Sequence, residues 1–196
     1  MARMAQIERV TAETRIDLRQ DLGGEGRANP ATGIGFFDHL LTHLAKHSGW
    51  DLSVRAEGDL HIDAHHTVED VGLVLGQALQ QALGDKAGIR RYGDCTLPMD
   101  DVLATVAVDL SGRPYLVWKA EITPGAIGAF EAELAREFWQ AFASTARCNV
   151  HVVLHHGQNR HHQLEAIFKA AARALRTAVE IDPRAGLGVP STKGVL

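Results

Sequence analysis

The sequence predicts an α+β protein made of two similar halves, and two observations carry that prediction. The pattern H-H-x-x-E occurs at residues 65–69 and again at residues 161–165, an offset of 96 in a chain of 196 residues. Around each copy, the predicted elements follow the same order of strands, helix, strand and helix. The simplest packing of such elements is a mixed four-stranded sheet in each half, with two helices on one face.

In the first half, an alternation of polar and apolar residues predicts strands, and a spacing of three to four predicts helices. The predicted elements are a strand at 10–18, a turn at 21–26, a helix at 38–46, a strand at 51–56 and a helix at 68–83. Gly49 and Gly84 follow the two helices, where a residue that tolerates positive φ is expected.

The second half repeats this order. Its predicted elements are strands at 102–110 and 115–122, a helix at 129–146, a strand at 149–154, a helix at 164–179 and an irregular tail from 183. The halves align at an offset of 98 around His39 and Glu137, and at 96 around the H-H-x-x-E copies. We assign 1–92 to the first repeat and 93–196 to the second, in one compact unit, because neither half has a linker of its own.

Composition excludes several classes of protein. The hydrophobic share of 45% and the charged share of 22% are ordinary for a globular chain. A net charge of −4 without any basic run provides no footprint for nucleic acid. No apolar stretch approaches the roughly 18 residues needed to cross a membrane, and the first residues do not form a signal peptide, so a cytoplasmic location is expected. Cys95 and Cys148 are expected to be free thiols.

The repeated motif is a candidate for binding two metal ions. Adjacent helical residues point about 100° apart, so the two histidines of each pair are expected to serve different ions. One set joins the first histidine and the glutamate of both motifs: His65, Glu69, His161 and Glu165. A second set joins the other histidines with two residues of the earlier helices: His66, His162, His39 and Glu137. Imidazole and carboxylate together suit zinc, iron or manganese.

Other histidines give a weaker signal. His43 shares a helical face with His39, but its alignment partner is Ala141, so a solvated side chain is expected. His155 and His156 are expected in a loop.

Five ordered motifs resemble one known family. They are Phe36-Phe37-Asp38-His39 followed by His47, the segment 65–70, Ser111-Gly112-Arg113-Pro114, the segment 161–170 and Pro190-Ser191-Thr192-Lys193-Gly194. From about Arg9 to its end, the chain closely resembles imidazoleglycerol-phosphate dehydratases of histidine biosynthesis. The resemblance implies a hydro-lyase that converts D-erythro-imidazole glycerol phosphate to imidazole acetol phosphate. No phosphatase segment precedes the match, which implies the monofunctional form.

The same resemblance implies a cofactor and an assembly. Two Mn²⁺ ions per active site are expected, in a duplicated fold similar to the second domain of ribosomal protein S5. The expected homo-oligomer is a hollow assembly of twenty-four subunits, with active sites at subunit interfaces. Its partner is a small phosphorylated substrate, with neither nucleic acid nor a membrane involved.

Site residues carry over by position. One manganese would take His65, Glu69, His161 and Glu165, and the other His39, His66 and His162. Glu137 stands where many relatives have a histidine, and a carboxylate still suits manganese. The remaining matches surround the substrate: Glu13, His47 and Lys169, with Arg91, Arg113, Ser191, Thr192 and Lys193 at its phosphate.

The implied chemistry explains this residue set. The C–H bond to be broken has no carbonyl beside it, so the imidazole ring must accept the electrons. Metals on both ring nitrogens would stabilise an imidazolate. Glu13 and His47 are candidate acid and base groups, with Glu13 acting directly or through a metal-bound water. Two other functions use the same clusters: metal storage or sensing, which would not need Arg91, Arg113 or Lys193, and binuclear phosphate-ester hydrolysis.

Overall fold

The computed structural model describes residues 3–184, 186, 188–194 and 196, so residues 1, 2, 185, 187 and 195 of the two predicted repeats lie outside the description. The first sheet has the strand order β1-β2-β4-β3, and only β3 runs parallel to its neighbour. Its strands are β1 (Met4–Val10), β2 (Thr14–Asp21), β3 (Ala28–Ala31) and β4 (Asp51–Gly58). Its half also contains helices α1 (Gly35–Ser48) and α2 (His65–Leu83).

The second sheet repeats this topology with the order β5-β6-β10-β7, in which β7 and β10 are parallel. Its strands are β5 (Tyr92–Met99), β6 (Val102–Asp109), β7 (Tyr115–Lys119) and β10 (Asn149–His156). A small hairpin, β8 (Ala126–Ile127) and β9 (Phe130–Glu131), precedes α3 (Leu134–Ala146), and α4 (Arg160–Val179) follows β10. The predicted α+β class with two matching sheets is confirmed.

Each sheet is covered by its own two helices, and the helices of the two halves then pack on each other. Helices α1 and α2 lie on the first sheet, while α3 and α4 lie on the second. Between the halves, α1 packs against α4, and α2 packs against α3. One continuous core results, with Leu40, Leu75, Phe138 and Phe168 fully buried.

All four predicted helices are present. Helices α1, α2 and α4 begin earlier than predicted, whereas α3 begins later. Gly49 ends α1 with φ 77°, and Gly84 follows α2 with φ 57°, as expected. The helix predicted from residue 129 begins at Leu134, because the preceding residues form the hairpin β8–β9. None of the helices in the described part of the chain is apolar over a length that would cross a membrane.

The strand predictions were wrong mainly at sheet edges. The strand predicted over 10–18 covers the last residue of β1, a turn and the first part of β2, because the hydroxyl of Thr11 accepts hydrogen bonds from the N–H groups of Glu13 and Thr14. Edge strands β3 and β5 were not predicted. Each contains a proline, Pro30 or Pro98, which an edge strand tolerates. His155 and His156 end strand β10 and are not in a loop.

Two glycines allow α2 and α3 to approach closely. A Cβ atom on Gly72 would lie 2.7 Å from the carbonyl oxygen of Phe138. A Cβ on Gly76 would lie 2.5 Å from the carbonyl oxygen of Phe142 and 2.2 Å from Oγ1 of Thr145. These contacts are to backbone as well as side chain, so the helices would have to move apart to admit a methyl group.

We expect Gly76→Ala to destabilise the protein. Alanine improves helix propensity by about 1 kcal/mol, but overpacking of this kind costs about 1–3 kcal/mol. Because the clash is with backbone, the packing cost should dominate, and the melting temperature should fall. The control is Gln77→Ala, which also introduces alanine, at the next and exposed position of α2. A melting temperature raised equally by both substitutions would contradict the close packing.

Candidate metal centre

The first cluster of candidate ligands lies where α1 meets α4. Glu165 of α4 is 5% exposed, and its Oε2 lies 3.0 Å from Nε2 of His39 and 2.9 Å from Nε2 of His161. Its Oε1 lies 3.2 Å from Nε2 of His43. Ligand atoms of His39, His43 and Glu165 all fall within 4.8 Å of one another. The two halves of the chain therefore share this cluster, since α1 belongs to the first and α4 to the second.

Helical spacing and local packing create this arrangement. His39, His43 and His47 are four residues apart on α1, so their rings stack along one face, with centroid separations of 4.4 Å and 5.6 Å. Phe36 packs against the rings of both His39 and His161. The side chain of Asn159 accepts hydrogen bonds from the first N–H groups of α4, which fixes where that helix begins.

The charges in this cluster favour metal binding. Burial disfavours the charged form of Glu165, but hydrogen bonds from Lys169, His39 and His161 outweigh it and lower the pKa of Glu165 to about 2. Burial also lowers the pKa of His43 to about 4, against the opposing charge of Glu165. At neutral pH the cluster therefore presents a carboxylate and a neutral imidazole, the forms that bind metals. The solvated side chain expected for His43 is wrong, because the ring is turned toward Glu165.

The second cluster lies at the start of α2. Nε2 of His65 is 3.7 Å from Oε2 of Glu69, and both side chains are nearly half exposed. Glu137 lies on α3, the helix that packs on α2, and its carboxylate accepts a hydrogen bond from the guanidinium of Arg136 at 2.9 Å. The α2–α3 contact is the counterpart of the α1–α4 contact, and Glu137 is the residue that aligns with His39 when the halves are superposed in sequence.

The second histidine of each motif is held by an aspartate. Nδ1 of His66 is 2.9 Å from Oδ2 of Asp59, and Nδ1 of His162 is 2.8 Å from Oδ1 of Asp101. Glu13 lies beside the first pair, with Oε2 3.9 Å from Nδ1 of His66. Sequence reasoning missed both aspartates. Asp101 is 61 residues from its histidine, and nothing in the local pattern links them.

Within one chain, His39 is in direct contact with His161 and Glu165, which the sequence-based assignment gives to the other ion. Within the described residues, no hydrogen bond or ion pair joins them to His65 or Glu69. The physical reason is the helix pairing across the halves, which the repeat alone does not specify. The assignment of ligands to two ions stays a prediction.

The candidate phosphate-binding residues lie at the other end of α4. Arg91 forms a two-point ion pair with Asp109, at 2.7 Å and 3.2 Å, and donates through Nη1 to the carbonyl oxygen of Pro190. Its backbone N–H is bonded to the carbonyl oxygen of Ala178, near the C-terminal end of α4. Because an α-helix rises about 1.5 Å per residue, His161 and Ala178 are about 25 Å apart.

The other candidate phosphate-binding residues lie in segments that are hydrogen-bonded to Arg91 or that follow such a segment directly. Leu110 donates its backbone N–H to the carbonyl oxygen of Arg91, and the turn that carries Arg113 follows directly. In the tail, the backbone N–H of Lys193 is bonded to Oγ of Ser191, and Thr192 is exposed.

The last predicted substrate residues lie close to the first cluster. Lys169 forms an ion pair with Glu165 and contacts Sδ of Met99. His47 ends the histidine stack on α1. Burial, together with the charges of Lys169 and Arg173, lowers the pKa of His47.

Comparisons with known proteins agree on one family. The family model described as imidazoleglycerol-phosphate dehydratase matches residues 32–175. Imidazoleglycerol-phosphate dehydratase of Ruegeria sp. (strain TM1040) is 57% identical over 194 residues, which cover 99% of this chain and 100% of the relative. The corresponding protein of Paracoccus denitrificans (strain Pd 1222) is 58% identical over 194 residues, with coverage of 99% and 100%.

Solved structures are similar over nearly the whole chain. The crystal structure of imidazoleglycerol-phosphate dehydratase from Staphylococcus aureus subsp. aureus N315 matches with a TM-score of 0.83 and 39% identity, covering 91% of this chain and 99% of that one. The crystal structure of IGPD from Pyrococcus furiosus in complex with (S)-C348 matches with a TM-score of 0.83 and 37% identity, covering 97% and 100%.

We expect Glu165→Gln and Glu69→Gln each to lose bound metal. An amide of nearly the same shape replaces the anionic ligand, so each variant should retain one of the two ions while the fold is kept. Manganese per chain, measured by plasma mass spectrometry after loading and desalting, checks this. Glu57→Gln, an exposed glutamate on β4, is the control and should bind both ions. Unchanged manganese in both cluster variants would show that these carboxylates are not ligands.

Proposed function

The chain belongs to the imidazoleglycerol-phosphate dehydratase family and is therefore a hydro-lyase of histidine biosynthesis, and from that premise we propose how it works. We propose that it dehydrates D-erythro-imidazole glycerol phosphate to imidazole acetol phosphate with the aid of two manganese ions per active site. The observation that carries the metal dependence is the buried carboxylate of Glu165, on which the imidazoles of His39, His43 and His161 converge.

The residues present fit a divalent transition metal. A buried carboxylate is costly unless it is paired, and here its partners are three imidazole nitrogens and one ammonium group. Nitrogen and oxygen donors without a thiolate suit manganese, iron or zinc. We propose that Glu137, on the helix that packs on α2, joins His65 and Glu69 in a second ligand set of two carboxylates and one imidazole, which favours a hard ion such as manganese.

We propose a division of ligands that follows the helix pairs. One ion takes His39, His161 and Glu165 from α1 and α4, and the other takes His65, Glu69 and Glu137 from α2 and α3. Adjacent helical residues point about 100° apart, so His66 cannot share an ion with His65, nor His162 with His161. We therefore propose that His66 of one copy completes the α1–α4 ligand set of a neighbouring copy, and that His162 of one copy completes the α2–α3 set of a neighbouring copy.

The two ions, held by these ligands, would supply Lewis-acid stabilisation of the negative charge that the substrate ring takes up when the proton leaves. The chain itself must hold the ring, move the proton and orient the phosphate. His47 has a lowered pKa and is a neutral imidazole at pH 7, the form that can accept a proton. Glu13 lies at the turn between β1 and β2 beside His66, where an exposed carboxylate can exchange protons with solvent.

The position of the phosphate-binding residues supports an active site shared between copies. Arg91 is bonded through its backbone N–H to Ala178, which lies about 25 Å along α4 from His161 of the metal cluster of the same chain. The substrate has only three carbons between its ring and its phosphate, so it cannot span that distance. An imidazole held at one chain's metal cluster must therefore place its phosphate on another chain. We also propose the assembly of twenty-four subunits that the family resemblance implies, a cytoplasmic location, and a repeat boundary at residue 92.

Metal removal and restoration test the proposed reaction. Chelated protein should lose turnover, and added manganese should restore it, with the phosphate retained in a ketone product. A metal storage protein would bind manganese without turnover. A binuclear hydrolase would release inorganic phosphate. Assaying ketone and free phosphate in the same samples separates the three functions, and phosphate release or an inactive metal-loaded protein would contradict the lyase.

Mixing two inactive variants tests the shared site. Glu165→Gln removes a metal ligand, and Arg113→Ala removes a phosphate contact, so each homogeneous protein should be inactive. When the two variants are coexpressed and assemble at random, some sites receive an intact metal cluster from one copy and an intact arginine from the other. Activity should then return to at most about a quarter of the normal value.

The control is a homogeneous protein that carries both substitutions in every chain. That protein should stay inactive, because every site lacks both groups. No recovery in mixtures of the single variants, with hetero-assembly verified by mass spectrometry, would show that one chain supplies both functions.

A further inference from the structure

Two aspartates outside the proposed ligand set contact equivalent histidines in the two halves. Asp59 follows β4 and accepts a hydrogen bond from Nδ1 of His66 at 2.9 Å. Asp101 lies in the turn between β5 and β6 and accepts one from Nδ1 of His162 at 2.8 Å. We propose that Asp59 and Asp101 are positioning residues that hold these imidazoles with Nδ1 protonated and Nε2 free to bind a metal ion. The proposal rests on the proposed function, in which His66 and His162 are ligands.

The chemistry of a carboxylate fixes the tautomer. An ionised carboxylate can only accept hydrogen bonds, so the nitrogen that faces it must carry the proton. Asp59 accepts from the ring of His66, and Asp101 accepts from the ring of His162 and from the backbone N–H of Gln158; an aspartate with an ordinary pKa of about 3.9 is a carboxylate at neutral pH. Both aspartates are therefore ionised at neutral pH. In the neutral imidazole, the remaining nitrogen, Nε2, then carries the lone pair.

The other candidate ligands use the same ring nitrogen. His39 and His161 point Nε2 at Glu165, and His65 points Nε2 at Glu69. A bound ion would take the place of the proton between each of these nitrogens and its carboxylate. Freeing Nε2 of His66 and His162 gives every proposed imidazole ligand the same donor atom. Carboxylates that hold the second nitrogen of a metal-binding histidine commonly orient the ring and raise its basicity.

The two aspartates are not repeat counterparts, which argues against a contact simply inherited from the duplication. At the offset of 98 that aligns β4 with β10, the position opposite Asp59 is Gly157, and at the offset of 96 it is His155. At the offset of 92 that aligns the strands, the position opposite Asp101 is Arg9. The two halves therefore reach the same carboxylate–imidazole contact from different segments of the chain. Such convergence is expected if the contact serves the histidine.

Asp59 makes the cleaner test. Its side chain is 12% exposed, and within the described residues its Oδ1 has no hydrogen-bond partner, so its contact is with His66. Asp101 is 43% exposed and also accepts hydrogen bonds from the N–H groups of Gln158 and Asn159, just before α4. The carboxylate of Asp100 lies 3.5 Å from Nε2 of His162, too far for a good hydrogen bond. The more buried Asp59 should have the larger effect on its histidine.

The experiment combines metal affinity with the tautomeric state of the metal-free protein. Manganese affinity is measured by competition with a chelator for Asp59→Asn, Asp101→Asn and Asp59→Glu. The tautomers are measured by solid-state NMR of protein with ¹⁵N-labelled histidine rings, and the signal of His66 is identified by its loss in His66→Gln. Asp63→Asn is the matched control, because Asp63 bonds the backbone N–H of His65 and not a ring.

We expect Asp59→Asn to weaken manganese binding by about 10- to 100-fold, and Asp101→Asn to weaken it less. In Asp59→Asn, the signal of His66 should shift from one tautomer to a mixture. Asp59→Glu, which keeps a carboxylate, should recover part of both. Asp63→Asn should bind manganese as the unmutated chain does.

Two results would overturn the proposal. One is unchanged affinity and an unchanged tautomer in Asp59→Asn. The other is weaker binding with an unchanged tautomer and no recovery in Asp59→Glu, which would indicate a role in the fold only. Failure of the unmutated chain to bind manganese would instead contradict the proposed function. In that case, the tautomer of His66 in the metal-free protein would still test the hydrogen bond from His66 to Asp59.

Discussion

The packing of helices across the two halves is the constraint on which the candidate site depends. Glu165 is a buried carboxylate, and isolated buried charges are strongly unfavourable. Its partners come from α1 of the first half and from its own helix, so the carboxylate is stable only when both halves are in place. The same cross-packing puts Gly72 and Gly76 of α2 against the backbone of α3. Neither half could build its metal cluster alone.

The duplication is imperfect in ways that give the two clusters different charge. The α1–α4 cluster has the carboxylate of Glu165, several imidazoles and the ammonium of Lys169. The counterpart of Lys169 in the alignment is Leu73, and the counterpart of His39 is Glu137. The ligand set proposed for α2 and α3 is therefore richer in carboxylates and lacks a matching lysine. In the proposed function, the two ions would therefore have ligand sets of different net charge. This difference would favour one orientation of the imidazole ring over the reversed one.

The sequence was sufficient to predict the parts of the structure that follow a strong local pattern. The four long helices and the inner strands β2, β4, β6 and β10 show clear periodicity, and the H-H-x-x-E copies mark the starts of α2 and α4. Edge strands such as β3 and β5 pair on one side only and tolerate proline, so their pattern is weak. His43 was misjudged because its repeat partner is Ala141, which shows that a duplicated fold need not keep duplicated contacts. Asp59 and Asp101, and the grouping of His39 with Glu165, depend on long-range packing that no spacing encodes.

The length of α4 explains why the proposed chemistry would belong to an assembly and not to a single chain. Candidate metal ligands occupy its N-terminal end, and Arg91 is bonded near its C-terminal end, about 25 Å away. If neighbouring copies complete both the metal sites and the phosphate site, then metal ions and substrate bind only the assembled state. Any ligand that binds one state preferentially stabilises that state by mass action. Metal binding, substrate binding and assembly would then be thermodynamically linked. A single free chain would carry incomplete sites, which neighbouring copies complete on assembly.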